Sequence, residues 1–472
     1  MRIRLEAIGC RLNEAEVQRW AREFQALGHQ PIRQACNESC REDKDAEQPG
    51  DPPVDLLVVN TCAVTAEAVR KSRQLLRRVQ RQNPRARLIV SGCATALDEA
   101  GVDHSGIDLS AIDLLIPNAE KDRLVEIAQL ELALPVMPAT AETEAVNPLF
   151  ARGRQRAFVK IQDGCRYQCT FCVTTIARGR ERSRRLEDIV AEVRTATDVG
   201  VQEAVLTGVH AAGYGADLGY RLEDLIAAVL CDTDIPRLRL GSVEPWGLDD
   251  RFWRLFENPR LAPHLHLPLQ SGSDRILRHM ARRCDTAAYR ALIAQARASI
   301  PDFNLTSDII VGFPGETDDD WHQTLDTVAE IGFGHLHIFN YSRRPGTRAA
   351  EMPDQLPENI RRERVRILQQ LADRLKTEAL RAQLGRTDTV LFERELSDSG
   401  GETAFGYTLN YLPVRLQTSQ TTQASGWQNR IAPVVLTDVS PDGKALIGLP
   451  LFEANAVPRQ GESRRMAETL AH

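Results

Sequence analysis

Apolar positions recur along the chain in two alternating rhythms. VDLLVVN (54–60), ARLIVSGC (86–93) and DLLIPN (113–118) are short apolar runs bounded by polar residues, the pattern of β-strands. Between them EAVRKSRQLLRRVQRQ (67–82) sets Val69, Leu75, Leu76 and Val79 at helical spacing. EKDRLVEIAQLEL (120–132) predicts a further helix with acidic residues in its first turn. Strands alternating with helices predict a doubly wound parallel α/β domain over residues 1–133. The rhythm resumes with AFVKIQ (157–162), EAVLTG (203–208), RLRLGS (237–242), HLHLPL (264–269), LTSDIIVGF (305–313) and HLHIFNY (335–341). Helices such as LEDIVAEVRTATDVG (186–200) and TLDTVAEIG (324–332) fit between these six strands. Six successive strand–helix units predict a partial (β/α)6 barrel over 156–382, closing with a charged, Arg-rich helix at 357–384.

After Gly385 the pattern becomes short alternating runs, TVLFERE, AFGYTLNYLPVRL, IAPVVLTDVS and ALIGLPL. They predict a small antiparallel β-barrel over 383–452. The polar stretch 34–53 reads as an exposed loop, 134–155 as a linker, and 453–472 as a disordered tail. No long-period repeat is present.

Composition narrows the class. The 472 residues suit several domains, and 42% hydrophobic with 26% charged residues is the profile of a soluble globular protein. No apolar run is long enough to span a membrane. The start, MRIRLEAIGCRLNEAE, turns acidic too early for a secretory signal, so a cytoplasmic protein is expected. A net charge of −6 excludes a uniformly basic nucleic-acid coat, so an RNA partner would have to be met by local basic patches. Ten cysteines in a reducing compartment point to metal binding, catalysis or core packing rather than to disulfides.

Three of them define a candidate site. GCRYQCTFC (164–172) carries Cys165, Cys169 and Cys172 at Cys-x3-Cys-x2-Cys, in the loop leaving the C-terminal end of AFVKIQ. That is the face on which parallel barrels place their chemistry. Thiolates are soft ligands for zinc or iron–sulfur clusters. A four-iron cluster usually takes four cysteines, so three would leave one iron open to a small molecule. Spacing alone also permits a zinc ion completed by a distant residue, or three unrelated thiols, although zinc sites usually pair Cys-x2-Cys or Cys and His.

CRYQCTFC resembles the signature of radical S-adenosylmethionine (SAM) enzymes, and ARGRERSR (177–184) narrows the resemblance to the methylthiotransferases. In that family SAM chelates the open iron, and one electron cleaves its sulfonium. A 5′-deoxyadenosyl radical results and takes hydrogen from an unactivated carbon. The resemblance implies a second, auxiliary 4Fe-4S cluster held by Cys10 (EAIGCRLNEAE), Cys62 (VVNTCAVT) and Cys93 (IVSGCA). Each follows an apolar run at the edge where open α/β sheets gather ligands. Three buried thiols are the plain alternative. Cys36 and Cys40, in CNESC, depart from the family pattern and read as two unpaired thiols in an exposed loop, with a labile extra metal site as the alternative. Cys231 and Cys284 lack ligand spacing and read as structural.

The resemblance further implies SAM contacts from Phe171, from Gly208 in LTGVHAAGYG, from Ser242 and Glu244 in SVEP, and from Ile310 and Gly312 in DIIVGFPGET. His264 and His266 read as hydrogen-bonded residues of a barrel mouth rather than a metal pair. Arg178, Arg180, Arg182, Arg184 and Arg185 form a basic stretch suited to phosphate, with ion pairs inside the fold as the alternative. AFGYTLNYLPVRLQ (404–417) resembles the TRAM domain, and there Tyr407, Asn410 and Tyr411 would stack on and hydrogen-bond RNA, with plain aromatic core as the alternative.

GCRLN is closer to the family branch acting on N6-threonylcarbamoyladenosine than to the GCQMN or GCPKN of the other branches. KSRQLLRRVQRQNP (71–84), PNAEKDRL (117–124) and YSRRPGTRAAEMP (341–353) look like the same branch, whereas Thr175 stands where it usually has proline. The resemblance thus implies an enzyme that methylthiolates threonylcarbamoyladenosine at position 37 of tRNA. It would use two 4Fe-4S clusters, with SAM as both methyl donor and radical source. Expected partners are the anticodon stem-loop, an electron donor such as flavodoxin or ferredoxin, and a sulfur source, with the enzyme a monomer. Isopentenylated adenosine or a ribosomal-protein aspartate are alternative substrates. A non-catalytic, metal-stabilised RNA-binding module is the rival of another class.

Overall fold

The structure, a computed structural model, describes residues 1–32, 54–102, 107, 109–135, 155–398, 401–417 and 426–451. Cys36 and Cys40, most of the expected linker and the expected tail lie outside the described residues.

The first domain is a parallel sheet of β1 (Arg2–Ala7), β2 (Gln30–Ile32), β3 (Leu56–Thr61), β4 (Arg87–Gly92) and β5 (Leu114–Ile116), in order β2-β1-β3-β4-β5. Every residue of β3 is buried, as a central strand covered on both faces requires. The helix Arg11–Ala26 packs Trp20 and Phe24 on Ile3, Leu5 and Val58. The helix Ala66–Gln82 packs Leu75, Leu76 and Val79 on Leu57, Val59 and Val90 of the opposite face. The helix expected over 120–132 divides into a 3-10 stretch, Asn118–Arg123, and an α-helix, Leu124–Glu131. Within the tight stretch Lys121 turns inward to Glu16 Oε2 (2.9 Å) and Asn60 Oδ1 (3.0 Å).

The central domain runs through β6 (Arg156–Lys160), β7 (Gln162–Asp163), β8 (Arg182–Ser183), β9 (Glu203–Thr207), β10 (Arg237–Leu240), β11 (His264–His266), β12 (Asn304–Val311) and β13 (His335–Asn340). The six long-range parallel strands form two halves, β10-β9-β6 and β11-β12-β13. Between β10 and β11 the ladder is reduced to the bridges Leu238–Leu261 and Ser242–His266. The run HLHLPL yields three strand residues instead of six, because Pro263 precedes it and Pro268 lies within it, and neither donates to a ladder. β7 and β8 pair antiparallel and close the loop that carries Cys165, Cys169 and Cys172.

The long helix Glu358–Arg381 leads into a closed barrel of β14 (Thr387–Asp398), β15 (Gly401–Thr408), β16 (Pro413–Leu416), β17 (Ile431–Val439) and β18 (Leu446–Pro450), in order β14-β15-β16-β18-β17. The pair β16–β18 is parallel and the others antiparallel, so the barrel departs in that pair from the all-antiparallel expectation. No helix among the described residues is long and apolar enough to cross a membrane.

Candidate functional site

The Cys165–Cys172 loop is tied down at both ends and in the middle. Gly164 adopts φ +69°, and a Cβ there would lie 2.1 Å from Arg180 O, so only glycine fits. Cys165 N donates to Gly179 O (3.2 Å), Thr170 N to Met280 O (3.1 Å), and Ala349 N to Thr170 O (2.8 Å). Amide groups point at sulfur: Tyr167 N lies 3.4 Å from Cys165 Sγ, and Thr174 N 3.4 Å from Cys172 Sγ. Such donors are what cluster thiolates accept. Burial pushes the Cys165 thiol up to about 12 and also raises Cys172. Desolvated thiols of this kind give up their protons when a cation takes their place. The site therefore fits a three-thiolate iron–sulfur cluster.

The second triad comes from three strand ends. Cys10 precedes the helix Arg11–Ala26, Cys62 follows β3, and Cys93 opens the helix Cys93–Glu99 after β4. Two glycines allow the closure. A Cβ on Gly9 (φ +106°) would lie 2.5 Å from Cys62 Sγ, and one on Gly92 (φ +123°) 2.3 Å from Thr61 O. Asn13 pins the loops together: its Nδ2 donates to Ile8 O (2.7 Å) and Thr61 O (3.0 Å), and its Oδ1 lies 3.8 Å from Cys10 Sγ. Burial lifts the Cys62 thiol to about 12, with Cys10 and Cys93 adding to the rise because the three sulfurs share one space. These residues also fit an iron–sulfur cluster. Asn13 was legible only as the last letter of GCRLN, and its role was not.

Arg178 stands between the two triads. It was expected to meet RNA, but it is buried and pairs with Glu16 Oε1 (3.0 Å) and Asp163 Oδ1 (3.0 Å), while its Nη2 donates to Asn13 Oδ1 (2.6 Å). Lys160 joins Asp163 (2.8 Å) and Glu16 (3.3 Å), and Lys121 joins Glu16. Lys160 also joins Asp122 (3.2 Å), so three buried cations meet three carboxylates, and Arg178 brings its guanidinium beside Cys10 and Cys93. Arg178 opposes the burial that raises Cys10. Val173, Ala177, Ala63, Cys93 and Ala94 share one apolar cluster, so the residues flanking Cys172 and Cys62 touch.

Phe171, Cys172, Gln270, Asp308, Ile310 and Phe339 line a cavity of about 160 Å³ at the barrel mouth. Glu244 Oε2 is buried without a partner. Burial raises the Glu244 carboxyl to about 7, against the pull of Arg282. Trp246 Nε1 and His210 Nε2 are orphaned as well, and Tyr167 sets its edge against both rings (5.6 and 4.7 Å). Buried polar atoms without partners are rare unless a ligand completes them, so this region fits SAM. Ser242 sits at the bridge to His266. Gly208 faces Gln162, whose Oε1 accepts Val209 N (3.0 Å) and His210 N (2.9 Å) and so shapes that loop. Gly312 (φ +75°) leaves room for Arg361, and its N donates to Glu316. Gly208 and Gly312 are thus explained by packing, whereas Phe171 and Ile310 meet at the cavity.

Other expectations need correction. Arg184 binds Lys160 O (2.8 Å) and Glu192 (2.7 Å) within the fold, leaving Arg180, Arg182 and Arg185 exposed. Tyr407, Asn410 and Tyr411 do not form an open RNA surface. Tyr407 stacks on Tyr411 (4.7 Å, 17°), Arg156 covers both rings, and Arg239 covers Tyr411. Asn410 is buried between Thr408 Oγ1 (2.6 Å) and Asp302 O (3.1 Å). These residues seat the C-terminal barrel on the core, where Glu203 is gripped by Arg239 (2.9 and 3.0 Å), Arg156 (3.4 Å) and Arg237 (3.7 Å). Cys284 is buried, but Cys231 is exposed. His264 and His266 both bind Thr306 Oγ1 (3.0 and 2.9 Å). Thr175 lies in the first turn of the helix Thr174–Arg178, where proline is equally at home.

Residues 159–328 match the radical SAM superfamily, and residues 2–110 match an uncharacterized protein family, UPF0004. A Bacillus subtilis protein named threonylcarbamoyladenosine tRNA methylthiotransferase MtaB is 32% identical over 424 residues, 87% of this chain and 89% of its own. A Chloroflexus aurantiacus tRNA-2-methylthio-N(6)-dimethylallyladenosine synthase is 36% identical over 399 residues, 82% of this chain and 80% of its own. Among solved structures, the radical SAM methyltransferase TsrM from Kitasatospora setae, with cobalamin and a 4Fe-4S cluster bound, matches with a TM-score of 0.52 at 16% identity, covering 74% of this chain and 76% of that one. At that identity the likeness concerns the fold alone.

Proposed function

The chain belongs to the radical SAM methylthiotransferase family, enzymes that transfer sulfur-containing groups, and on that premise we propose that it methylthiolates N6-threonylcarbamoyladenosine beside the anticodon of tRNA. One observation carries the methylthiotransfer part of this reading. The two cysteine triads are neighbours, packed through Val173, Ala63 and Cys93 and tied through Arg178 and Asn13. Among the described residues the remaining cysteines, Cys231 and Cys284, belong to neither triad. A radical source and a sulfur source must reach the same substrate carbon, and this adjacency supports that use.

When bound, SAM and the two clusters would supply the radical, the sulfur and the methyl group. The protein's own residues do the rest. Cys165, Cys169 and Cys172 would hold one cluster, and Cys10, Cys62 and Cys93 the other. Glu244 offers its unpaired oxygen to an amino or hydroxyl group of SAM. Phe171 and Ile310 give the adenine an apolar bed and exclude water. Arg180 and Arg182 present exposed charge to the tRNA backbone, with Arg185, which pairs with Glu187 at 3.5 Å, beside them. An electron donor such as flavodoxin or ferredoxin and a separate sulfur source complete the reaction.

Relatives named for the threonylcarbamoyl and the dimethylallyl substrates have similar identity to this chain, so the substrate choice rests on GCRLN and its Arg11. Mass analysis of tRNA nucleosides from a deletion strain tests it. The methylthio-threonylcarbamoyl nucleoside should vanish and its unthiolated precursor accumulate. Persistence of the methylthio form in a strain with no second such enzyme overturns the reading.

A further inference from the structure

Arg11 follows Cys10 directly and opens the first helix. Its guanidinium reaches across to the C-terminal barrel, where Nη2 donates to Tyr411 Oη at 3.2 Å and the cation lies 5.6 Å from the ring centroid. Among the described residues it meets no carboxylate. Tyr411 in turn lies 4.9 Å from the His264 ring, and His264 and His266 share Thr306 Oγ1, so Arg11 adjoins the side chains of the barrel mouth.

The facing wall comes from three adjacent strands. His266 Nε2 lies 3.2 Å from Asp308 Oδ1, and His266 Nδ1 is fixed by Thr306 Oγ1 at 2.9 Å. Asp308 is the register partner of His337. The His337 ring lies 5.5 Å from His266 and 4.8 Å from His335, and the ligand atoms of His266, Asp308 and His337 all fall within 4.8 Å of one another. His337 is exposed, and two residues on Phe339 is 40% exposed and joins Asp308, Phe171 and Ile310 around the cavity. The mouth therefore has an apolar floor, a carboxylate already paired on one side, and a guanidinium without a counter-anion next to an auxiliary-cluster cysteine.

We propose that Arg11 and His337 form a subsite for a carboxylate carried by the N6 substituent of the substrate base, with Asp308 accepting from its hydroxyl or ureido N–H groups. This rests on the threonylcarbamoyl reading of the substrate and names the residues that enforce it. A threonylcarbamoyl group carries a carboxylate, a hydroxyl and ureido donors, which match these three side chains. An isopentenyl group carries none, and enclosing Arg11 against it would leave a cation dehydrated and unpaired. The guanidinium's planar fork suits a carboxylate, and Tyr411 Oη holds it in place from behind.

Binding of synthetic anticodon stem-loops to the iron–sulfur-loaded full chain tests the proposal. Three stem-loops differ only in the N6 substituent: threonylcarbamoyl, its methyl ester, and isopentenyl. The wild type should prefer the free acid over the ester by about tenfold or more. Arg11→Gln should erase that preference, and Arg11→Lys should keep most of it. Retention of the wild-type preference by Arg11→Gln, with iron and sulfide content unchanged, overturns the subsite while leaving the substrate reading intact. A wild type that favours the isopentenyl stem-loop overturns the substrate reading and the subsite together. Should Arg11→Gln fail to take up iron, His337→Gln decides: a reduced acid-over-ester preference supports the subsite, and an unchanged one overturns it.

Discussion

The two cysteine triads reach similar ends by opposite routes. Cys165, Cys169 and Cys172 lie within one loop, clamped by the β7–β8 pair and by Gly164 against Arg180. Cys10, Cys62 and Cys93 lie on three loops that meet only because Gly9 and Gly92 let β1, β3 and β4 end in close contact. The first site is local in the chain and the second is a product of sheet topology. A local site depends on its loop, whereas a site assembled across a sheet depends on every strand end that feeds it.

Removing one cysteine from each triad should give the largest effects. Cys169→Ala should abolish reductive SAM cleavage and remove about half of the iron. Cys62→Ala should also remove about half the iron and abolish methylthio product, yet retain SAM cleavage. Iron analysis with an anaerobic cleavage assay distinguishes the two. Equal loss of cleavage in both variants would mean that the sites are not separable.

The glycines sharpen the contrast. Gly92→Ala forces a Cβ into Thr61 at a left-handed φ and should cost about 3 kcal/mol or more in denaturant unfolding, emptying the second site first. Gly164→Ala should do the same to the first site alone.

Glu203, which belongs to neither triad, provides the control. Its carboxyl is buried, and Arg239, Arg156 and Arg237 outweigh that burial and hold it at about 2, below its ordinary value. The folded value is depressed, so this stabilisation is present above about pH 4.5 and is lost as pH falls through about 2. Glu203→Gln should cost about 3 kcal/mol at neutral pH, because three guanidinium groups lose their counter-charge, and should flatten the acid limb of the stability profile. Iron content should be unchanged.

The smallest effect belongs to the exposed arginines. Arg180→Ala and Arg182→Ala should each weaken tRNA binding a few-fold and reduce the salt dependence by about one ion. Arg178→Ala should instead destabilise the fold, since it strips a buried partner from Glu16 and Asp163. A chain in which Arg178→Ala changes only RNA affinity would return Arg178 to the RNA surface.

Much of this was legible in the chain. The apolar runs located β3 to β6 and β9 to β13, since burial on one or two faces writes itself directly into spacing, but they missed β1, β2, β7 and β8. HLHLPL failed over half its length because its prolines, not its hydropathy, set the strand limits. The helix expected at 120–132 gave way at Lys121, whose inward turn depends on Glu16 and Asn60, more than fifty residues away in sequence. Asn13 and the orphaned Glu244 oxygen carry no spacing signal, and only the folded surroundings show what they do.

By itself the sequence determined the alternation of elements, the Cys-x3-Cys-x2-Cys loop and the inventory of arginines and tyrosines. Those are properties of neighbours along the backbone. Only the tertiary structure decided which arginines face water and which close an ion network, and that Tyr407 and Tyr411 cement two domains instead of lying open. Charge and aromaticity are written in a residue, but its exposure is set by whatever distant segment comes to rest against it.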